Sequence, residues 1–309
     1  MNTAGLSIDM DSVASHLEGY GFPRPEDDGS AYTLALPRIL ELFARTGVRA
    51  TFFLIANEAR NHPSAVTRIV AEGHEVGSHS MDHRLPFSAL DAAGRQREIF
   101  ESRVLLEALT GQEVSGFRAP SWDAGPWLVE DVANAGYTYD SSAYPSILLP
   151  LLRIAVALRG GRGGHRASAS AWSAALGRRG LHDIETRQGS LHEVPMYTVP
   201  GLRLPYYHTM RFVMPSWVFR GIRQLAQSTS RPVWYQFHAV DFLSLSSDNL
   251  DPRIGCHPGM RRPLDEKLEL AADALHGLSR GRIVAPLREL ATRFAREAPT
   301  LELARGRPM

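Results

Sequence analysis

The feature that most constrains this chain is a repeated exchange of short apolar, β-branched runs with longer segments of helical period. Gly5–Met10 reads as a strand, and Thr33–Thr46 as a helix with Leu36, Leu40 and Phe43 on one face. Ala50–Ile55 is a buried strand, Ser64–Glu72 a helix and Glu75–His79 a third strand. A long amphipathic helix over Leu90–Leu109 is closed by Gly111 and followed by strand Ser115–Ala119, helix Pro126–Ala135 and strand Tyr137–Ser141. Such alternation demands crossover connections and a mostly parallel sheet covered by helices. The expected class is α/β, a distorted (β/α) barrel in one catalytic domain.

The rhythm breaks after Ser142. Ile147–Leu158 is almost wholly apolar and runs into a Gly/Arg/Ser-rich stretch, so 146–190 reads as an insertion after the fifth strand with a mobile loop. Strand character resumes at Leu191–Val199 and Val233–His238, with a helix at Pro215–Gln227. Leu264–Gly281, Ile283–Val284 and Pro286–Glu297 close the fold.

Composition excludes several classes. A net charge of +1 over 309 residues is no nucleic-acid footprint, and Lys267 is the sole lysine among the cations. The single Cys256 rules out an intramolecular disulfide and a cysteine zinc cage. No apolar run is long enough for a transmembrane helix, and MNTAGLSIDMD carries no secretory pattern, so the expected location is cytoplasmic.

Four elements at predicted strand ends carry the chemistry. His79 and His83, four apart in HSMDH, would share one face if a helical turn began there, and could grip one divalent ion. Asp9 and Asp11 alternate at the end of the first strand and so point the same way. A strand-end Arg118, in Gly116–Trp122, can hold a neighbouring carboxylate ionised. His238 ends the strongly apolar VWYQFH run. Taken singly, each has an ordinary structural reading; together they converge where catalytic groups collect in α/β barrels.

In order and spacing these motifs resemble the polysaccharide deacetylases of carbohydrate esterase family four, from Asp9 to about Asp241. HSMDH fits the family's His-[Ser/Thr]-x-x-His motif, and FRAPSW its Arg-x-Pro motif. The resemblance implies that Asp11, His79 and His83 bind a divalent metal, usually zinc. It implies Asp9 as general base, Arg118 as its anchor and His238 as general acid toward the leaving amine. The Ser121 backbone N–H would help stabilise the oxyanion. Asp140, in Tyr139-Asp140-Ser141-Ser142, stands where the family usually carries a Trp beside an Asp, and is expected to orient His238. Gln236 replaces the family's usual Leu, and FHAVDF resembles a subgroup active on exopolysaccharides and surface glycans.

Trp122 and His208 are expected to line the substrate cleft. The apolar-then-basic run after Ser146 reads either as a buried helix or as a segment on the inner membrane face, which would suit a lipid-linked, N-acylated amino sugar. Two further readings stay open: an amidase of the same fold acting on another small amide, and an inactive carbohydrate-binding relative.

Overall fold

The computed structural model describes residues 2–146, 148 and 175–295. Among the described residues nine strands make up the sheet: β1 (Asn2–Asp9), β2 (Thr51–Leu54), β3 (Glu75–Ser78), β4 (Gly116–Phe117), β5 (Tyr139–Asp140), β6 (His182–Thr186), β7 (Gly189–Glu193), β8 (Val233–His238) and β9 (Arg282–Ala285). Their order is β6-β7-β5-β4-β3-β2-β1-β8, and β9 pairs the start of β1. Every pairing is parallel except the β6–β7 hairpin. The expected α/β barrel is therefore present, with two distortions. First, β4 and β5 shrink to two residues each. Second, the gap between β5 and β8 is spanned by the irregular stretch 194–208 rather than a strand: Met196 N–H donates to the Ala143 carbonyl (2.7 Å), and His208 N–H to that of Gln236 (3.0 Å).

The 146–190 segment is not all insertion. His182–Thr186 is a strand whose hairpin partner β7 pairs with β5 and extends the sheet. The apolar run expected at 147–158 and the Gly/Arg-rich stretch lie outside the described residues, Leu148 apart.

The barrel interior packs large residues against absent side chains. A Cβ on Gly77 would come within 2.7 Å of the Phe53 ring, and one on Gly116 would collide with Tyr139. This large-beside-small layering lets the Arg118 guanidinium rest over Phe53, 4.1 Å from the ring centroid. Below that layer, buried Glu75 accepts from Thr51 Oγ1 (2.5 Å) and Tyr139 Oη (3.0 Å). These donors satisfy a carboxyl whose pKa burial raises.

The helices follow the sequence pattern closely. Leu36–Thr46 buries Leu36, Ile39, Leu40, Leu42 and Phe43 and ends on left-handed Gly47. The run expected over Leu90–Leu109 is interrupted by a π-helical turn, Gln96–Glu101. That turn delivers Glu98, fully buried, to the backbone N–H groups of Met81 (3.1 Å) and Asp82 (2.9 Å). Among the described residues no helix is long and apolar enough to cross a membrane.

Candidate metal centre and active site

β1 is paired on both edges near its end, with Asp9 opposite Phe53 of β2 and His238 of β8. Ser7 and Asp9 point into the barrel, while Leu6 and Ile8 pack outward among the apolar core. Asp9 is 2% exposed, and both its oxygens are held: Arg118 Nη1 donates to Oδ1 (2.5 Å) and Gln236 Nε2 to Oδ2 (2.7 Å). Arg118 is itself fixed by Ser7 Oγ (3.1 Å), the Ser141 carbonyl (3.2 Å) and Ser141 Oγ (2.8 Å).

Asp11, His79 and His83 are all buried, and one ligand atom from each lies within 4.8 Å of the others. Asp11 Oδ1 stands 3.1 Å from His79 Nε2 and 3.8 Å from His83 Nε2. The two histidines do not sit on a helical turn, contrary to the sequence expectation. Ser80 (φ 70°) and His83 (φ 57°) are left-handed, and the turn is held by Glu98 and by Ser80 Oγ, which accepts from His83 N–H (3.1 Å). Positive φ at two non-glycine residues costs energy and marks a functional constraint.

The donor set fits a cation on an observation internal to the site. His79 Nδ1 lies 2.7 Å from the Arg118 carbonyl and must donate to it, so a neutral His79 presents the Nε2 lone pair to an Asp11 oxygen, itself an acceptor. A proton shared between them or a metal ion in its place would explain two such groups facing each other at 3.1 Å. Both His83 nitrogens are buried with no hydrogen-bond partner, and burial pushes its pKa down to about 3, which leaves a neutral imidazole with a lone pair to share. Burial opposes the ionisation of Asp11, but His79 beside it wins and holds the carboxyl well below the usual range. Burial likewise disfavours a charge on His79, and the Asp11 carboxylate outweighs it, so the His79 pKa is raised.

His238 is oriented by a residue to which the motif comparison assigned no role. Asp241 Oδ2 accepts the His238 backbone N–H (2.8 Å), and Thr209 Oγ1 sits 3.3 Å from His238 Nδ1 and 3.5 Å from Asp241 Oδ1. Asp140 does not reach His238. It accepts from Ser142 Oγ (2.6 Å), which in turn accepts Ala119 N–H (2.8 Å), so its contacts fix the loop bearing Arg118. Burial raises the Asp140 pKa to about 6, and that of Glu193 beside it well above the ordinary value.

The expected cleft residues separate. Ser121 (φ 53°) and Trp122 (φ 51°) form consecutive left-handed positions beyond β4. The Trp122 ring lies 5.9 Å from that of His238, with Tyr144 and Tyr207 against it at 5.1 and 5.9 Å. His208 does not line the cleft. It is 0% exposed and packs on Phe237 (4.6 Å) and Tyr235 (6.1 Å), whose side chains alternate with those of Gln236 and His238 and so occupy the other face of β8. Its neighbours Tyr207 and Thr209 reach the site instead.

Sequence reasoning missed His16 and His257. His16 Nε2, buried and without a hydrogen-bond partner, lies 3.9 Å from Asp11 Oδ2. Its ring stands 6.0 Å from His238 and 5.0 Å from His257. Burial pushes the His16 pKa down to about 4. Only the spacing from Asp11 along helix Val13–Gly19 signalled His16; nothing local signalled His257.

The family model for polysaccharide deacetylase matches residues 27–139, a span that holds His79, His83 and Arg118 but stops short of Asp9, Asp11 and His238. The peptidoglycan deacetylase of Helicobacter pylori is 32% identical over 139 residues, covering 44% of this chain and 47% of that protein. The chain thus matches about half the length of this curated relative. The fold is shared over nearly the whole chain with a protein named probable polysaccharide deacetylase from Pseudomonas aeruginosa PAO1, at 17% identity and a TM-score of 0.61, covering 96% of this chain and 92% of that one. It is also shared with PuuE allantoinase at 16% identity and a TM-score of 0.60, covering 94% and 89%.

Proposed function

We propose that this chain is a member of the polysaccharide deacetylase family and a metal-dependent hydrolase that removes an N-acyl group, acetyl in our reading, from an amino sugar. The observation that carries this reading is the buried meeting of Asp11, His79 and His83, with Asp9 and His238 flanking it. A two-imidazole, one-carboxylate set leaves coordination positions open, which suits a catalytic ion, and zinc is our reading of its identity. When bound, that ion supplies Lewis-acid polarisation of the amide carbonyl and a more acidic water.

The chain's own residues do the rest. Arg118 pairs with Asp9 and orients it beside the site, and its carbonyl sets which His79 nitrogen faces Asp11. His238, held by Asp241 and Thr209, protonates the leaving amine. Trp122, Tyr144 and Tyr207 form an aromatic wall against which a sugar face or acyl methyl can pack, limiting water there. The Trp122 indole N–H, buried and without an acceptor among the described residues, is free to meet a substrate oxygen.

The test is acetate release from N-acetylglucosamine oligomers by the zinc-loaded protein, run beside allantoin as a non-sugar substrate. Activity on the amino sugar that disappears in His83→Ala supports the reading. Activity confined to allantoin would overturn it. The finer reading, a lipid-linked substrate at the cytoplasmic membrane face, draws its support from the apolar run 147–158 and the arginines beyond it. Binding to anionic vesicles and preference for a lipid-linked acceptor over soluble oligomers would test it.

A further inference from the structure

We propose that His16 is a positioning residue of the metal centre: its Nε2–H holds the Asp11 oxygen that does not face His79 and His83, and so aims the other oxygen at the ion. This role depends on the metal-site reading above, but on no particular substrate. The start of helix Val13–Gly19 brings the two residues together. Ser12 caps that helix, its Oγ accepting the Ser15 N–H (3.1 Å). Asp11 then stands one position before the cap and His16 four positions after it, the pair of places whose side chains meet where a helix begins. The two Asp11 oxygens face different partners. Oδ1 lies 3.1 Å from His79 Nε2 and 3.8 Å from His83 Nε2, whereas Oδ2 lies 3.9 Å from His16 Nε2.

His16 Nε2 is buried with no hydrogen-bond partner, and the carboxylate beside it is Asp11. A neutral imidazole carries one N–H, and a carboxylate oxygen can only accept, so the proton belongs on Nε2. A movement of about 1 Å turns this contact into a charge-assisted hydrogen bond. His257 backs the ring. Its Nδ1 donates to the Pro258 carbonyl (2.8 Å), which fixes it, and its ring packs edge-on against His16 with centroids 5.0 Å apart. The need for such a partner shows in the contrast with Asp9. Arg118 and Gln236 hold both oxygens of Asp9, whereas among the described residues only histidines reach the Asp11 carboxylate. Two of these are its fellow ligands, so His16 alone is left to orient it. A ligating carboxylate held at its second oxygen cannot swing away before the ion arrives, and that preorganisation appears as metal affinity.

Zinc affinity tests this without any substrate. The full-length protein is stripped of metal and titrated with zinc against a chromophoric chelator. His16→Phe keeps a ring against His257 and removes the N–H, so its zinc dissociation constant should rise about 10–100-fold. His16→Asn, too short to reach Oδ2, should lose a similar amount and covers the case in which the phenylalanine variant fails to fold. His16→Gln sets an amide NH2 near the place of Nε2 and should recover most of the affinity, a rescue that packing alone would not give. In zinc-loaded wild type labelled with ¹⁵N-histidine, Nε2 of His16 should carry its proton. Unchanged affinity in the phenylalanine and asparagine variants would overturn the proposal, as would an equal loss in all three. A proton-free, zinc-bound Nε2 would also overturn it, by making His16 a ligand. Wild type that binds no zinc would sink the metal site and this role with it, while acetate release judges the deacetylase reading separately.

Discussion

Asp241 accepts the backbone N–H of His238 at 2.8 Å and faces its Nδ1 at 3.9 Å, whereas Asp140, on the neighbouring side of the barrel, bonds Ser142. The two carboxylates therefore have separable tasks. Asp241→Ala should lower kcat/KM of the deacetylation by roughly 10–100-fold, less than the loss on removing His238 itself, which a positioned proton donor sets at about 10²–10⁴-fold. Asp140→Asn should leave kcat/KM near wild type. Steady-state kinetics on an N-acetylated oligomer decides; equal losses would contradict the geometry.

Removal of one metal ligand should be visible without any substrate. Asp11→Asn and His83→Ala are expected to purify with little zinc by elemental analysis, while Trp122→Ala keeps it. The two ligand variants take away one of three donors that meet within 4.8 Å, whereas Trp122 is not among those donors and its ring packs beside that of His238. A ligand variant that retains a full zinc equivalent would argue against the site.

Glu58 offers a pH test of stability. Burial raises its pKa to about 8, and only one of its oxygens has hydrogen-bond partners, in Ser12 (2.7 Å), Ser15 (3.3 Å) and Arg24 (3.1 Å). Between its ordinary value of 4.5 and about 8 the folded state binds the extra proton, so stability should fall as pH rises through that window and level off above it. Glu58→Gln keeps the shape without the titration, and its urea unfolding free energy should lose this slope. An unchanged slope would assign the effect elsewhere.

The glycine at 116 is required by its neighbour. A Cβ there meets the Tyr139 ring, which is anchored to Glu75, so it cannot simply move. Gly116→Ala should destabilise the fold by about 1–3 kcal/mol in urea melts. Because Arg118 follows two residues later, the same change should also lower activity.

The aromatic wall should act on binding. Trp122→Ala is expected to raise KM more than it lowers kcat, and Trp122→Phe to restore most of the loss, because the ring packs on Tyr144 and Tyr207. A pure kcat effect would assign Trp122 to the chemistry instead.

Much of this architecture could be read along the chain. Strand period and helix period are local properties, so β2, β3 and β8 fall within about a residue of their sequence expectations, while β1 starts three residues earlier than expected and the helix before Gly47 ends where expected. HSMDH, FRAPSW and the Asp9–Asp11 pair were legible because each sits at the end of such a strand, where side-chain direction follows from alternation. Where one chain segment satisfies its own geometry, sequence suffices.

Other features depended on which segments meet. HSMDH is no helical turn, because Glu98 on a π-helical turn seventeen residues on captures its N–H groups. The orienter of His238 is Asp241 rather than Asp140, and His208 turns to the far face of β8 while Thr209 reaches the site. Gln236 reads in sequence as a polar departure in an apolar strand; only the pairing of β8 against β1 sets its amide on Asp9. His16 and His257 converge from segments 241 residues apart in a chain of 309. The sequence by itself determined the strands, the helices and the kinds of groups at their ends. The tertiary structure alone decided which donor faces which acceptor, since hydrogen bonds act over about 3 Å and no local pattern encodes contacts between distant segments.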